Sequence, residues 1–344
     1  MQKNKGILVL RGVFIIMIVI HHLDLFIGGG SLGVSFFFIL GGFALSLGYY
    51  DKVNHSDFIY SEFIKKRCGK FFPLHWLCLL ASIPLVTISI IQGSATIKAA
   101  LISFIPNAIC LQSLVPFDAI YFSYNAVSWY LSTTLVLTLT YPFIVRTLNQ
   151  YSNIGKANIA LTVFICYAIL VIMLPKNLRH SILYINPIVR VVDFIIGIYL
   201  YLFYKKNYQH KVTKSNSLQK IFQIVGILAL AVSILISQLI PRDVRMIAAV
   251  YWLPLSILLL SYVFQPKIKG WGYNIIAWIG DISFPIFLTH WIIIRYANTI
   301  CNIIGLDNKP LKVVVTIPLI ILVAWLCDKY FLKQVLLWSR GRKN

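Results

Sequence analysis

Apolar runs of about 18–22 residues recur along the whole chain, separated by short polar loops. A run of that length crosses the hydrocarbon core of a bilayer as a helix. Ten spans are predicted, at roughly 7–28, 32–48, 74–92, 126–146, 157–174, 187–204, 220–240, 245–264, 273–294 and 311–332. A transmembrane β-barrel would instead show short segments of alternating polarity. The run 97–112 is shorter and carries Pro106 and Asn107, so it is predicted as a re-entrant or interfacial helix. The expected fold is an all-α polytopic transmembrane helical bundle, with residues 1–344 as a single domain and no appended soluble domain. The first run is too long for a cleaved leader and lacks a small-residue cleavage site.

Composition agrees with this pattern. Of the 344 residues, 59% are hydrophobic and 12% charged, which excludes a soluble core. The net charge of +21 would suit a nucleic-acid binder, but the basic residues do not form one patch. They sit in short loops, as the positive-inside rule requires. With 97–112 left out of the spans, 21 of the 31 Lys and Arg fall on one side and eight on the other, and Arg11 and Arg190 lie within spans. Both termini are therefore expected to be cytoplasmic. The six cysteines are dispersed, with no CxxC and no His/Cys metal spacing, so no metal site is expected.

Against this apolar background a few polar positions stand out. Arg11 and His22 lie in the first span, about 16 Å apart along a helix and about 20° apart around it. Ionisable groups inside a span are costly and mark function by default. One is a fixed cation, and the other exchanges a proton near neutral pH. His21 lies about 80° off the Arg11 face and suits lipid-interface or helix–helix hydrogen bonding. The second span carries Gly33-Val34-Ser35-Phe36-Phe37-Phe38-Ile39-Leu40-Gly41-Gly42-Phe43, small residues that permit close helix contact with aromatics between them.

Phe63 to His75 reads as a basic loop in which Arg67 and Lys70 are three apart. They either hold an anionic ligand, such as the phosphates of a nucleotide-bearing carrier, or anchor to lipid headgroups. Asn125, Ser128, Trp129, Tyr130 and Ser132 open the fourth span, as site lining or as an aromatic belt. Arg190 in the sixth span either binds substrate or pairs with Asp193. Ser283 and His290 share a face late in the chain, with no acid placed to complete a serine triad.

The order of these features resembles the integral membrane acyltransferase-3 family over essentially the whole chain. The resemblance rests on Arg-x10-His in the first helix and Gly-Val-x-x-Phe-Phe-x-x-x-Gly-Phe in the second. It continues through Phe-x-x-x-Arg-x-x-Lys-x-x-Pro, Trp-x-Leu-Ser, Arg-x-x-x-Phe-x-x-Gly and Gly-x-x-Ser-Phe-x-x-x-Leu-x-His. It implies transfer of an acyl group, usually acetyl, from cytosolic acyl-CoA to a hydroxyl of a glycan or glycolipid.

By position it makes His22 and Arg11 the essential pair and puts Arg67 and Lys70 at the CoA end. Trp129, Arg190, Ser283 and His290 are further substrate-binding candidates. The family pattern has a second Arg where Lys70 stands, acidic residues where Thr133, Thr134 and Leu135 stand, and Ser where Gly41 stands. The implied setting is the bacterial inner membrane, with acetyl-CoA as donor substrate and no permanently bound cofactor. The implied partners are a glycan or glycolipid acceptor, membrane lipids and glycan-assembly proteins, without nucleic acid. Intramembrane Arg and His would also suit a proton-coupled transporter or flippase, but no duplicated halves are present.

Overall fold

The computed structural model describes residues 4–25, 28–209, 216–239, 248–264, 268–305 and 308–335. The ends of several predicted spans, at 26–27, 240 and 245–247, lie outside the described residues, as do the basic positions Lys3, Lys211, Lys214, Lys267, Arg340, Arg342 and Lys343. Among the described residues there is no strand. The chain is a polytopic bundle of α-helices.

Fourteen helices are used below. They are α1 (Lys5–His22), α2 (Gly29–Tyr49), α3 (Tyr60–Ile91), α4 (Ile97–Ala108), α5 (Asp118–Tyr121), α6 (Ser128–Asn149) and α7 (Asn153–Met173). They continue as α8 (Lys176–Arg179), α9 (Pro187–Gln209), α10 (Asn216–Leu239), α11 (Ala249–Val263), α12 (Trp271–Asp281), α13 (Ser283–Ile303) and α14 (Lys309–Leu326). Eight described helices are long and apolar enough to cross a membrane, and the bent pair α12–α13 makes a ninth. Adding the short apolar α11 accounts for each of the ten predicted spans. α4 has only 12 residues, with Pro106 inside, in keeping with a segment that does not cross.

Three boundaries differ from expectation. α1 ends at His22 rather than near residue 28, because Asp24 takes a left-handed φ of 56° that ends the helix. The basic segment Phe63–His75 is helix rather than loop: α3 runs for 32 residues, through Pro73 and Pro84. An apolar helix tolerates proline where its neighbours and Ser or Thr side chains satisfy the freed carbonyls. The predicted span 273–294 is broken at Ile282, where α12 and α13 meet at 72°. Pro285 explains the break. It has no N–H for the carbonyl four residues back, yet it fits the first turn of a new helix.

Glycines set the tightest crossings. A Cβ on Gly42 would lie 2.0 Å from the Phe194 carbonyl oxygen, and one on Gly197 would lie 1.9 Å from that of Ile39. These two positions lock α2 against α9. Gly12 and Gly280 do the same for α1 and α12, meeting the carbonyl oxygens of Ile276 and Leu8 at 2.1 and 1.9 Å. Without these small residues the backbones could not approach so closely. One buried apolar cluster surrounds α2 and α9, and a second joins α1, α3, α6, α13 and α14.

Candidate active site

A cavity of about 250 Å³ lies between α1, α2, α3, α6 and α13. Its polar lining is Arg11, Arg67, Lys70, Tyr130, Thr134, Thr138 and Ser283, and the rest is apolar. Three cations border it and, among the described lining residues, no carboxylate, although Asp281 at the end of α12 interacts electrostatically with Arg11. The 72° break at Ile282 turns Ser283 inward, where its Oγ accepts from Arg11 Nε at 3.1 Å and Nη2 at 2.8 Å. The helical geometry of α3 puts Arg67 and Lys70 on one wall. The Arg67 guanidinium stacks 4.7 Å from the Tyr49 ring centre and 5.5 Å from that of Phe63, and its buried Nε has no hydrogen-bond partner. Gly41, where the family pattern has Ser, also lines the cavity.

Phe287 carries the site from this cavity to its second part. Its ring borders the cavity and sits 4.7 Å from Tyr130 and 5.9 Å from His290. His290 in turn packs edge-on against His22, with ring centres 5.0 Å apart, and His22 also touches Trp291 at 5.3 Å. His22 Nδ1 lies 2.9 Å from the Ile18 carbonyl, and His290 Nδ1 lies 2.8 Å from that of Phe287. A ring nitrogen that faces a carbonyl carries the proton, which leaves Nε2 as the basic nitrogen on both rings. His290 Nε2 is buried without a partner. His21 packs edge-on against His22, with ring centres 5.2 Å apart, but lies on the α2 side, where its ring blocks any Cβ at Gly30.

Six of the eight candidate residues thus fall into two adjoining groups. Arg11, Arg67, Lys70 and Ser283 share the cavity, and His22 and His290 form a pair beside it. Trp129 and Arg190 meet in a different place. Arg190 is buried, with Nη1 at 2.9 Å from Asp193 Oδ2 and Nε donating to the Tyr184 carbonyl at 2.7 Å. Its guanidinium lies 4.8 Å from Tyr184 and 5.5 Å from Phe38, the same two rings that pack on Trp129. Trp252 Nε1 donates to the other carboxylate oxygen of Asp193.

Neither Trp129 nor Arg190 lines the cavity. Tyr130 does, the site-lining alternative of the Asn125–Ser132 stretch, and so do Thr134 and Phe287, which the sequence does not mark as binding residues. Among the described residues no cluster of three or more potential metal ligands occurs.

This geometry can hold an anion at one end and remove a proton at the other. A family model described as an acyltransferase domain matches residues 4–329 of the chain. The chain belongs to the acyltransferase-3 family. It is 24% identical to Acyltransferase MdmB of Streptomyces mycarofaciens over 285 residues, 78% of this chain and 69% of that protein. No solved structure matches. The chain is therefore a membrane acyltransferase.

Proposed function

We propose that the protein moves an acetyl group from cytosolic acetyl-CoA to a hydroxyl of a surface glycan or glycolipid, with His22 as general base. The observation that carries this is the cavity whose described lining holds Arg11, Arg67 and Lys70 but no carboxylate, next to a histidine pair with basic Nε2 nitrogens. Loop charge puts the Arg67 and Lys70 end on the cytoplasmic side. There the two cations meet the donor's phosphates, while the apolar lining suits the pantetheine arm. Arg11 and His22 are about 16 Å apart along α1, a reach an extended arm spans.

Chemically, His22 Nε2 takes the proton of the acceptor hydroxyl as its oxygen attacks the thioester carbon. The C–S bond then breaks, the CoA thiolate leaves and collects a proton, and the new ester departs with the acceptor. Arg11, held in place by Ser283, stands about 16 Å along α1 from His22 and so serves to hold the donor rather than the reacting carbonyl.

The donor half is tested by charge reversal. Arg67→Glu and Lys70→Glu should each raise the KM for acetyl-CoA while leaving acceptor dependence nearly unchanged. A lost contact to a charged group costs on the order of 1–3 kcal/mol, which is roughly 5- to 150-fold. Unchanged acetyl-CoA dependence would reduce these residues to lipid anchors.

A further inference from the structure

A second cavity, of about 310 Å³, opens on the face opposite the basic one, between the end of α3, α4, α5 and the outer half of α13. That volume is at the lower end of small-ligand sites, roughly 300–1,000 Å³. Nothing in the donor half of the reaction uses it. Its lining includes Ser94, Ser103, Asp118, Ser123, Tyr124 and Arg295.

The hydrogen bonds already made decide what ligand it suits. Ser94 Oγ donates to the Ser89 carbonyl at 2.9 Å, Ser103 Oγ to that of Ala99 at 2.8 Å, and Ser123 Oγ to that of Ile120 at 2.7 Å. The Tyr124 hydroxyl donates to the Ala100 carbonyl at 2.9 Å. Each hydroxyl has spent its hydrogen and keeps lone-pair capacity, although Ser123 Oγ already accepts from Asn107 Nδ2 at 2.8 Å. Asp118 is held by the Tyr121 hydroxyl, which also lies 3.0 Å from His180 Nδ1. Its carboxylate adds further acceptors. The cavity therefore wants hydrogen-bond donors. A phosphate or carboxylate would meet lone pairs and a negative charge, with Arg295 as the one cation among the described lining residues. A neutral polyol meets acceptors with its hydroxyls, a donor in Arg295, and apolar faces in Phe122 and Tyr124 for its C–H surface.

The position ties the cavity to the reaction. α13 runs from Ser283 in the donor cavity, through His290 beside His22, to Arg295, whose Nη2 is 3.1 Å from Ser89 Oγ. Asn125, next to Tyr124, donates Nδ2 to the Leu288 carbonyl at 2.8 Å, two residues before His290. Arg295 is about 7.5 Å beyond His290 along α13 and about 140° around it. A sugar held there is thus a neighbour of the one at His22, not the same unit.

We infer that the Asp118–Arg295 cavity is a remote subsite for a neutral sugar unit of an oligosaccharide acceptor, next to the unit that is acylated. The inference rests on the acyltransferase mechanism proposed above, and binding there aligns the acceptor without touching the reacting atoms.

The test is protection from labelling. Ala119→Cys, placed in the lining with Cys166→Ser and Cys301→Ser, is exposed to a membrane-impermeant maleimide in sealed vesicles. Neutral oligosaccharides released from the surface glycans of the producing cells serve as probe, with inorganic phosphate alongside. Oligosaccharide should slow labelling about tenfold. Asp118→Asn and Arg295→Gln should abolish that protection while the rate without sugar stays the same, which shows the cavity intact. Labelling indifferent to every sugar fraction, or slowed by phosphate alone, overturns the inference. His22→Ala separates the two proposals. Protection that persists in a protein unable to transfer acetyl upholds the subsite apart from the catalytic mechanism, and wild-type transfer without protection removes only the subsite.

Discussion

His21 and His22 are chain neighbours with different surroundings. His22 faces His290 and Trp291, whereas His21 touches His22 edge-on and otherwise fills the space over Gly30 of α2. His21→Ala should therefore leave a sizeable fraction of acetyl transfer, measured in membranes at matched protein levels. Arg11→Lys keeps a cation but loses the planar fork that grips Ser283 with two nitrogens. It should be severely impaired in the same assay; near-normal activity would mean that Arg11 only supplies bulk charge. Arg190 calls for a different measurement. Its ion pair with Asp193 is almost fully buried, and removing one partner of such a pair costs roughly 3–5 kcal/mol. Arg190→Ala should thus lower the thermal unfolding temperature in detergent, and a fully stable variant would show the pair to be dispensable.

At the level of helices, α1 owes its contact with α12 to Gly12 and Gly280. Gly280→Ala drives a methyl into the Leu8 carbonyl, and overpacking of this kind typically costs about 1–3 kcal/mol. The expected result is a lower unfolding temperature together with a raised acetyl-CoA KM, because the break that presents Ser283 to Arg11 shifts with the crossing. Unchanged values for both would mean that the crossing relaxes freely.

The helices themselves were legible in the sequence because span length and loop charge are strong, additive signals. The breaks were less so. Pro73 looked like the end of a loop and proved to lie inside α3, whereas Pro285 looked like a mid-span residue and marks the start of α13. The residue type is the same in both places, and tertiary neighbours decide which way it acts. Arg11 and His22 were recognisable as polar exceptions in apolar surroundings, and Arg67 and Lys70 by their spacing within a basic segment. Tyr130 was marked only as site lining or aromatic belt, and Phe287 not at all, since an aromatic that lines a cavity has the same sequence signature as one in the core. Asp118 and Arg295 come from segments 177 residues apart and meet only in the folded chain.

For the whole molecule, ten crossings with both ends cytoplasmic, as the loop charge predicts, would put the donor cavity and the second cavity on opposite faces. Cysteine accessibility in sealed vesicles should find the 205–220 connection reactive only from the cytoplasmic side; labelling from outside would reverse the assigned orientation. The central claim is that this bundle transfers acetyl from CoA with His22 as base, and one measurement addresses it directly. Purified protein in vesicles is given isotopically labelled acetyl-CoA and surface glycan from the producing cells, and label in the glycan is counted. Wild type should incorporate label, and His22→Ala, inserted at the same level, should fall by about 10²- to 10⁴-fold, as expected for loss of a general base. A His22→Ala protein that transfers acetyl at the wild-type rate would contradict the account.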